Sequence, residues 1–204
     1  MDNKNKLIVK NTLIQYIKII ITVICAFFST RIILQEIGID DYGIFSVIGG
    51  LIAIFGILNS SMTVAVQRFV SYEIPTNNLD NINTIYRTSI TTHLIIALVV
   101  IILSETIGLY FLTNYMVFSP GKQNSAIYVF HCVAISFALN ITSIPQQGIL
   151  IAYERFQLIS IINIIETLLK LGIAFLLIIV PDFKLQTYST LLVAVSIINL
   201  LLYI

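Results

Sequence analysis

Residues 42–67 read YGIFSVIGGLIAIFGILNSSMTVAVQ, a run without a charged side chain between Asp41 and Arg68. A bilayer core about 30 Å thick takes about 20 residues of helix at about 1.5 Å rise each. This run alone is long enough to cross one, and the rest of the chain is similar. Hydrophobic residues make up 58% of the 204 and charged residues 10%, with a mean hydropathy of +0.98. A soluble domain carries about 25% charged residues, so too little polar surface remains to cover a water-exposed globule. The sequence predicts an integral membrane protein.

Measured in the same way, spans fall at about 12–34, 43–67, 88–112, 125–151, 156–180 and 186–204. The fourth is longer than an upright helix requires, and Pro145 is expected to kink or tilt it. The expected fold class is all-α, a polytopic bundle of six transmembrane helices. The chain is still apolar at its end, Leu201-Leu202-Tyr203-Ile204, where a finished membrane protein normally closes with a charged or aromatic-basic segment. Residues 1–204 are therefore expected to form the N-terminal six-helix lobe of a longer protein.

Short-loop Lys and Arg residues set the expected orientation. Lys4, Lys6, Lys10, Arg68, Arg87 and Arg155 fall on one side; Lys122 and Lys184 fall on the other, with Arg31 near the boundary. The first side is read as cytoplasmic, with the N-terminus inside and the acidic turn Glu36 to Asp41 outside. The first apolar run is too long for a signal peptide, contains Lys18 and lacks a small-residue cleavage site. It is expected to remain as a helix. Leu79, Ile82, Ile85 and Tyr86 share a helix face, so the segment before span three is expected to lie first along the membrane surface.

Charges inside a span cost roughly 2.5–3.5 kcal/mol each at the helix centre, which makes those that remain informative. Gln15, Lys18, Thr22, Cys25 and Ser29 follow 3-4 spacing and line one face of the first helix. Lys18 either snorkels over a weakly polar packing face or faces an aqueous cavity. On span five, Ser160, Asn163, Thr167 and Lys170 share a face flanked by Glu166. Glu166 and Lys170 either neutralise each other as an i, i+4 pair or serve an anionic substrate and a coupling ion. Glu105 in span three is an ion site or an interfacial carboxylate. His93 and His131 have no metal-ligand spacing and read as packing or interfacial residues. Gly49, Gly50, Ala53 and Gly56 in span two mark a close helix approach or a bend.

No enzyme constellation emerges: the sequence lacks a nucleophile elbow, a phosphate-cradling glycine loop and a His-Glu metal motif. No cofactor or metal is expected, and Cys25 and Cys132 lie in apolar runs where neither a disulfide nor a metal site is expected. A net charge of +1 without a Lys/Arg run excludes nucleic acid as a partner. A helical bundle with polar stripes is the anatomy of a transporter.

The run Ser29-Thr30-Arg31-Ile32-Ile33-Leu34, with Gly38, Asp41 and Tyr42-Gly43-Ile44, resembles the first hairpin of the polysaccharide biosynthesis proteins. These are lipid-linked oligosaccharide flippases of the superfamily that includes the multidrug (MATE) exporters. Val64 to Ser71, Ser104-Glu105-Thr106-Ile107-Gly108-Leu109, Ile144-Pro145 with Ala152-Tyr153-Glu154-Arg155, and Ile165-Glu166 with Leu168 to Leu171 extend the resemblance in order through span five. The resemblance implies two six-helix lobes around a central cavity, this chain being the N-terminal lobe and its C-terminal lobe a necessary partner. It implies transport of undecaprenyl-pyrophosphate-linked oligosaccharide across the bacterial inner membrane for O-antigen, capsule or related polymers. In that setting Lys18 and Lys170 become the pyrophosphate counter-charges, with Gln15 and Asn163 beside them, Arg68 at the cytoplasmic mouth, and Glu166 and Glu105 the candidates for ion coupling. Membrane lipid is the other expected contact.

Three rival functions have their own sequence requirements. A cation-coupled drug exporter of the same superfamily would favour acids over Lys18 in the stripe. A glycan polymerase or ligase would need a large outer loop, and the loop at 113–124 is short. A non-transporting scaffold has no use for paired polar stripes.

Overall fold

The computed structural model of the protein describes the backbone of residues 3–53 and 56–204 and the surroundings of side chains 9–52, 56 and 59–204. Lys4, Lys6 and Ala53 of the reading above lie outside the described side chains. Among the described residues every regular element is helical: α1 Asn3–Ile37, α2 Ile39–Ala53, α3 Gly56–Glu73, α4 Leu79–Leu103, α5 Leu109–Tyr115, α6 Gln123–Thr142, α7 Ile144–Ala152, α8 Phe156–Ile179 and α9 Lys184–Tyr203. A π-helical turn, Ser104–Gly108, joins α4 to α5 without a break. Apolar runs favour this outcome because a helix satisfies its backbone groups internally where no water is available.

The helices stop where the local chemistry demands it. Gly38 takes a φ of +88° between α1 and α2, a conformation that a Cβ disfavours. Pro75 opens a short 3₁₀ turn that ends at Asn77 in the left-handed region. Asn78 then caps α4, its side chain accepting from the Asn81 N–H at 3.1 Å. The fourth expected span breaks at Ser143, two residues before Pro145, which sits in the first turn of α7, the place where its missing N–H matters least.

Among the described residues, five stretches are long and apolar enough to cross a membrane: Val9–Ile37, Leu79–Tyr115, Gln123–Ala152, Phe156–Ile179 and Lys184–Tyr203. The stretch expected as span two carries α2 and α3, and residues 54 and 55 between them lie outside the described residues. The two helices track successive halves of one neighbour. Ile44, Ile48 and Ile52 of α2 pack with Ala126, Val129, Phe130 and Ala134 of α6. α3 packs on α7, where Val66 meets Gly148. Over the segment expected at the membrane surface, 79–86, α4 runs unbroken into span three. Gly49, Gly50 and Gly56 have open space around the position of a Cβ, so among the described residues no helix approaches closely there.

The bundle is apolar outside and partly polar inside. Tyr16, Ile17, Ile20, Val23 and Phe27 of α1 are exposed, while Ser29, His93, Ser143, Ser160, Ser189 and Asn199 are buried. This inverts the usual distribution of a water-soluble protein and suits helices that associate through small and hydrogen-bonding side chains in lipid. α1 packs along α8, with Ile33 against Ile173, Ala174 and Leu177, and α9 packs on α6 and α8. Two ion pairs tie one end of the bundle. Lys122 Nζ lies 2.8 Å from Asp41 Oδ1, and Lys184 Nζ lies 2.7 Å from Glu36 Oε2.

Candidate functional site: a polar seam and an in-span ion pair

The stripe on α1 turns toward the bundle. Gln15, Lys18 and Thr22 are half-buried, and Cys25 and Ser29 are buried as packing residues. Only the half of the stripe nearer the N-terminus is thus open enough to meet a ligand. α1 and α8 run parallel: Asn11 borders a cavity of about 420 Å³ with Glu154, Arg155 and Leu158, and Ile33 packs on Ala174. That register sets Lys18 level with the stretch from Ser160 to Glu166.

On α8 the acid and base find each other. Lys170 Nζ lies 2.6 Å from Glu166 Oε1, with the lysine about half exposed. The i, i+4 spacing makes this contact nearly obligatory on a regular helix. Since Glu166 is engaged by Lys170, Lys18 is the uncompensated cation of this seam, and no described acid pairs with it. Asn163 accepts a hydrogen bond from the Tyr203 hydroxyl at 3.5 Å, and Asn199, one turn back on α9, is buried with its Oδ1 unpartnered. Ser160 Oγ is also buried without a partner. Buried polar atoms are hydrogen-bonded with few exceptions, so the unmet oxygens on α8 and α9 each mark a place suited to water or a polar ligand.

The remaining candidates lie elsewhere. Arg68 is on the exposed flank of α3 beside Ser61, Val64 and Phe69, and α3 packs chiefly on α7 and α4. The structure does not bring it into the seam. Glu105 falls in the π-helical turn, and its Oε1 lies 2.7 Å from His131 Nδ1 of α6. His131, expected as a packing or interfacial residue, is instead half of an interhelical pair. Single π turns inside α-helices occur often at functional sites. The pair sits about 12–15 Å from the ion-paired end, counted along either helix. Comparable depth was the only signal in the sequence that could have linked the two residues. Tyr203 and Asn199 carried no signal, because each is a lone polar residue near the end of an apolar run.

Comparison with protein-family profiles, curated proteins and solved structures gave no match.

Proposed function

We propose that the chain crosses the inner membrane of a bacterium six times, N-terminus in the cytoplasm, as one lobe of a flippase for undecaprenyl-pyrophosphate-linked oligosaccharide. The observation that carries this reading is the seam itself, in which an inward-facing amine without a counter-ion stands level with amide and hydroxyl groups. An ammonium buried without water or an anion is costly. A diphosphate supplies the missing charge, and lysine binds phosphate as a point charge. Lys170 can turn from Glu166 toward the same anion, with Gln15 and Asn163 offering amide hydrogen bonds.

Six crossings follow if α2 and α3 together make one pass, which their successive packing on α6 and α7 supports. With alternate loops on opposite sides, Asp41, Lys122, Glu36 and Lys184 then share the outer end, in keeping with their two ion pairs. Rocking against a second lobe would expose the seam to each side in turn. Glu105 with His131, and Glu166, are the groups suited to coupling that motion to an ion, since each is an acid held inside a span.

Deletion of the protein's reading frame tests the proposal. Lipid-linked oligosaccharide should accumulate in the cytoplasmic leaflet and surface polysaccharide should disappear. An unchanged surface polymer and an unchanged precursor pool would refute it.

A further inference from the structure

The turn between α7 and α8 closes a cavity of about 420 Å³ against α1, lined on its polar side by Asn11, Tyr153, Glu154, Arg155 and Gln157. Leu158 and Ile161 of α8 line the rest, and both are exposed on the flank of the bundle. The turn joins the apolar stretches Gln123–Ala152 and Phe156–Ile179, and Asn11 lies near the start of the stretch Val9–Ile37. The cavity therefore sits where three spans end, at the level of lipid head groups. Its apolar side reaches about 9 Å toward the hydrocarbon, counted along α8 from Arg155 to Ile161. Glu154 and Arg155 are exposed, and among the described residues neither forms an ion pair with the other or with any further charge. Main-chain geometry fixes the turn: Glu154 takes a φ of +56°, and the Arg155 N–H donates to the Leu150 carbonyl at 2.8 Å. Two opposite charges are thus held side by side, with Cα atoms about 3.8 Å apart, and both border the same space.

We propose that this cavity holds the head group of a zwitterionic phospholipid with a primary amine, phosphatidylethanolamine, its phosphate on Arg155 and its ammonium on Glu154. A two-carbon link separates the two groups in the lipid, a spacing that neighbouring side chains can meet. Arginine takes phosphate through paired N–H donors. The ammonium has three N–H donors, for the Glu154 carboxylate and the amide oxygens of Asn11 and Gln157. An acyl chain then follows Leu158 and Ile161, and Tyr153 stands at the interface, where its ring and hydroxyl are both suited. Phosphatidylglycerol would bring a phosphate beside Glu154 without a cation to offset it. Phosphatidylcholine brings a cation with no N–H to donate. The site lies about 10 Å along α1 from Lys18, and it rests on the membrane-spanning helices, whatever the protein transports.

Native mass spectrometry of the protein in detergent, given an equimolar mixture of the three lipids with matched acyl chains, counts the lipids that stay bound. The ethanolamine lipid should be retained at least about threefold over each of the others, a modest factor because both charges are exposed and screened. Glu154→Gln should bring its retention down to that of the choline lipid. Arg155→Ala should lower retention of both. The turn is held by its main chain, so both variants keep it. Glu73→Gln makes the same charge change in an acid that already accepts from Thr76 and Asn81, and it should leave the preference intact. Equal retention of the three lipids, or a preference for the glycerol lipid, would overturn the proposal. So would an unchanged preference in Glu154→Gln, unchanged retention in Arg155→Ala, or an equal loss in Glu73→Gln.

Discussion

Gly148→Ala is the substitution whose cost follows most directly from the packing. A Cβ on Gly148 would lie 2.7 Å from both Cβ and Cγ1 of Val66 and 3.3 Å from the backbone nitrogen of Gln67. Carbon atoms pack at about 3.5–4.0 Å, so α3 and α7 must move apart by roughly 1 Å. Val66 cannot yield by rotation, because its Cβ is fixed to the backbone and the residue is buried. Overpacking costs about 1–3 kcal/mol, and an obstacle anchored to the backbone sets the expectation in the upper half, about 2–3 kcal/mol. Gly108 is the internal control. Its Cβ would also meet an atom at 2.7 Å, but that atom is the ring tip of Phe130, which can tilt; about 1 kcal/mol is expected. Val66→Gly, which removes both the Cβ and the Cγ1, should relieve the first clash, so that the double variant is at least about 1 kcal/mol more stable than additivity predicts. Reversible unfolding in mixed micelles, followed by circular dichroism, measures all four variants. If Gly148→Ala costs no more than Gly108→Ala, or if the double variant is additive, the close approach of α3 and α7 is wrong.

The proposed topology predicts that an impermeant thiol reagent added outside the cell reaches single cysteines at 38–41 and 119–123 and not at 76–81; labelling at 76–81 would reverse the orientation. Exchanging the charges of the outer pair, Asp41→Lys with Lys122→Asp, should restore stability lost in either single variant. That loss should stay below about 1 kcal/mol, because the lysine is partly exposed and screened; a double variant worse than both singles would refute the pairing. Glu105→Gln and Glu166→Gln should impair transport at unchanged protein levels, and full transport in both singles and the double would remove these acids from the coupling step.

Uncharged run length made most of the architecture readable, since hydrocarbon admits few structures besides the helix. The ends of α8 and α9 fall within two residues of expectation for that reason. The second stretch, whose hydropathy is continuous through residues 42–67, carries α2 and α3 on either side of two residues outside the described set. Its four small residues allowed an approach or a bend equally, and the close approaches occur at Gly108 and Gly148 instead. The polar face of α1 and the Glu166–Lys170 contact were legible from helical periodicity. The burial of Cys25 and Ser29 was not, because periodicity gives a direction and not the distance to the next helix. The Glu105–His131 pair lay beyond sequence reasoning for a similar reason: two residues on different helices meet only once the packing of α4 on α6 is known.

The central claim is that Lys18 holds the anionic head of a lipid-linked substrate inside the bundle. Everted membrane vesicles carrying the whole protein, loaded with undecaprenyl-pyrophosphate-linked oligosaccharide in the outer leaflet, measure this directly as the fraction of glycan protected from an added glycosidase. Lys18→Ala should abolish protection at a normal level of inserted protein, and Lys18→Arg, which keeps the charge, should retain a substantial part of it. Protection in Lys18→Ala equal to that of the native protein would show that the amine only snorkels over a packing face, and the seam would not be the substrate site.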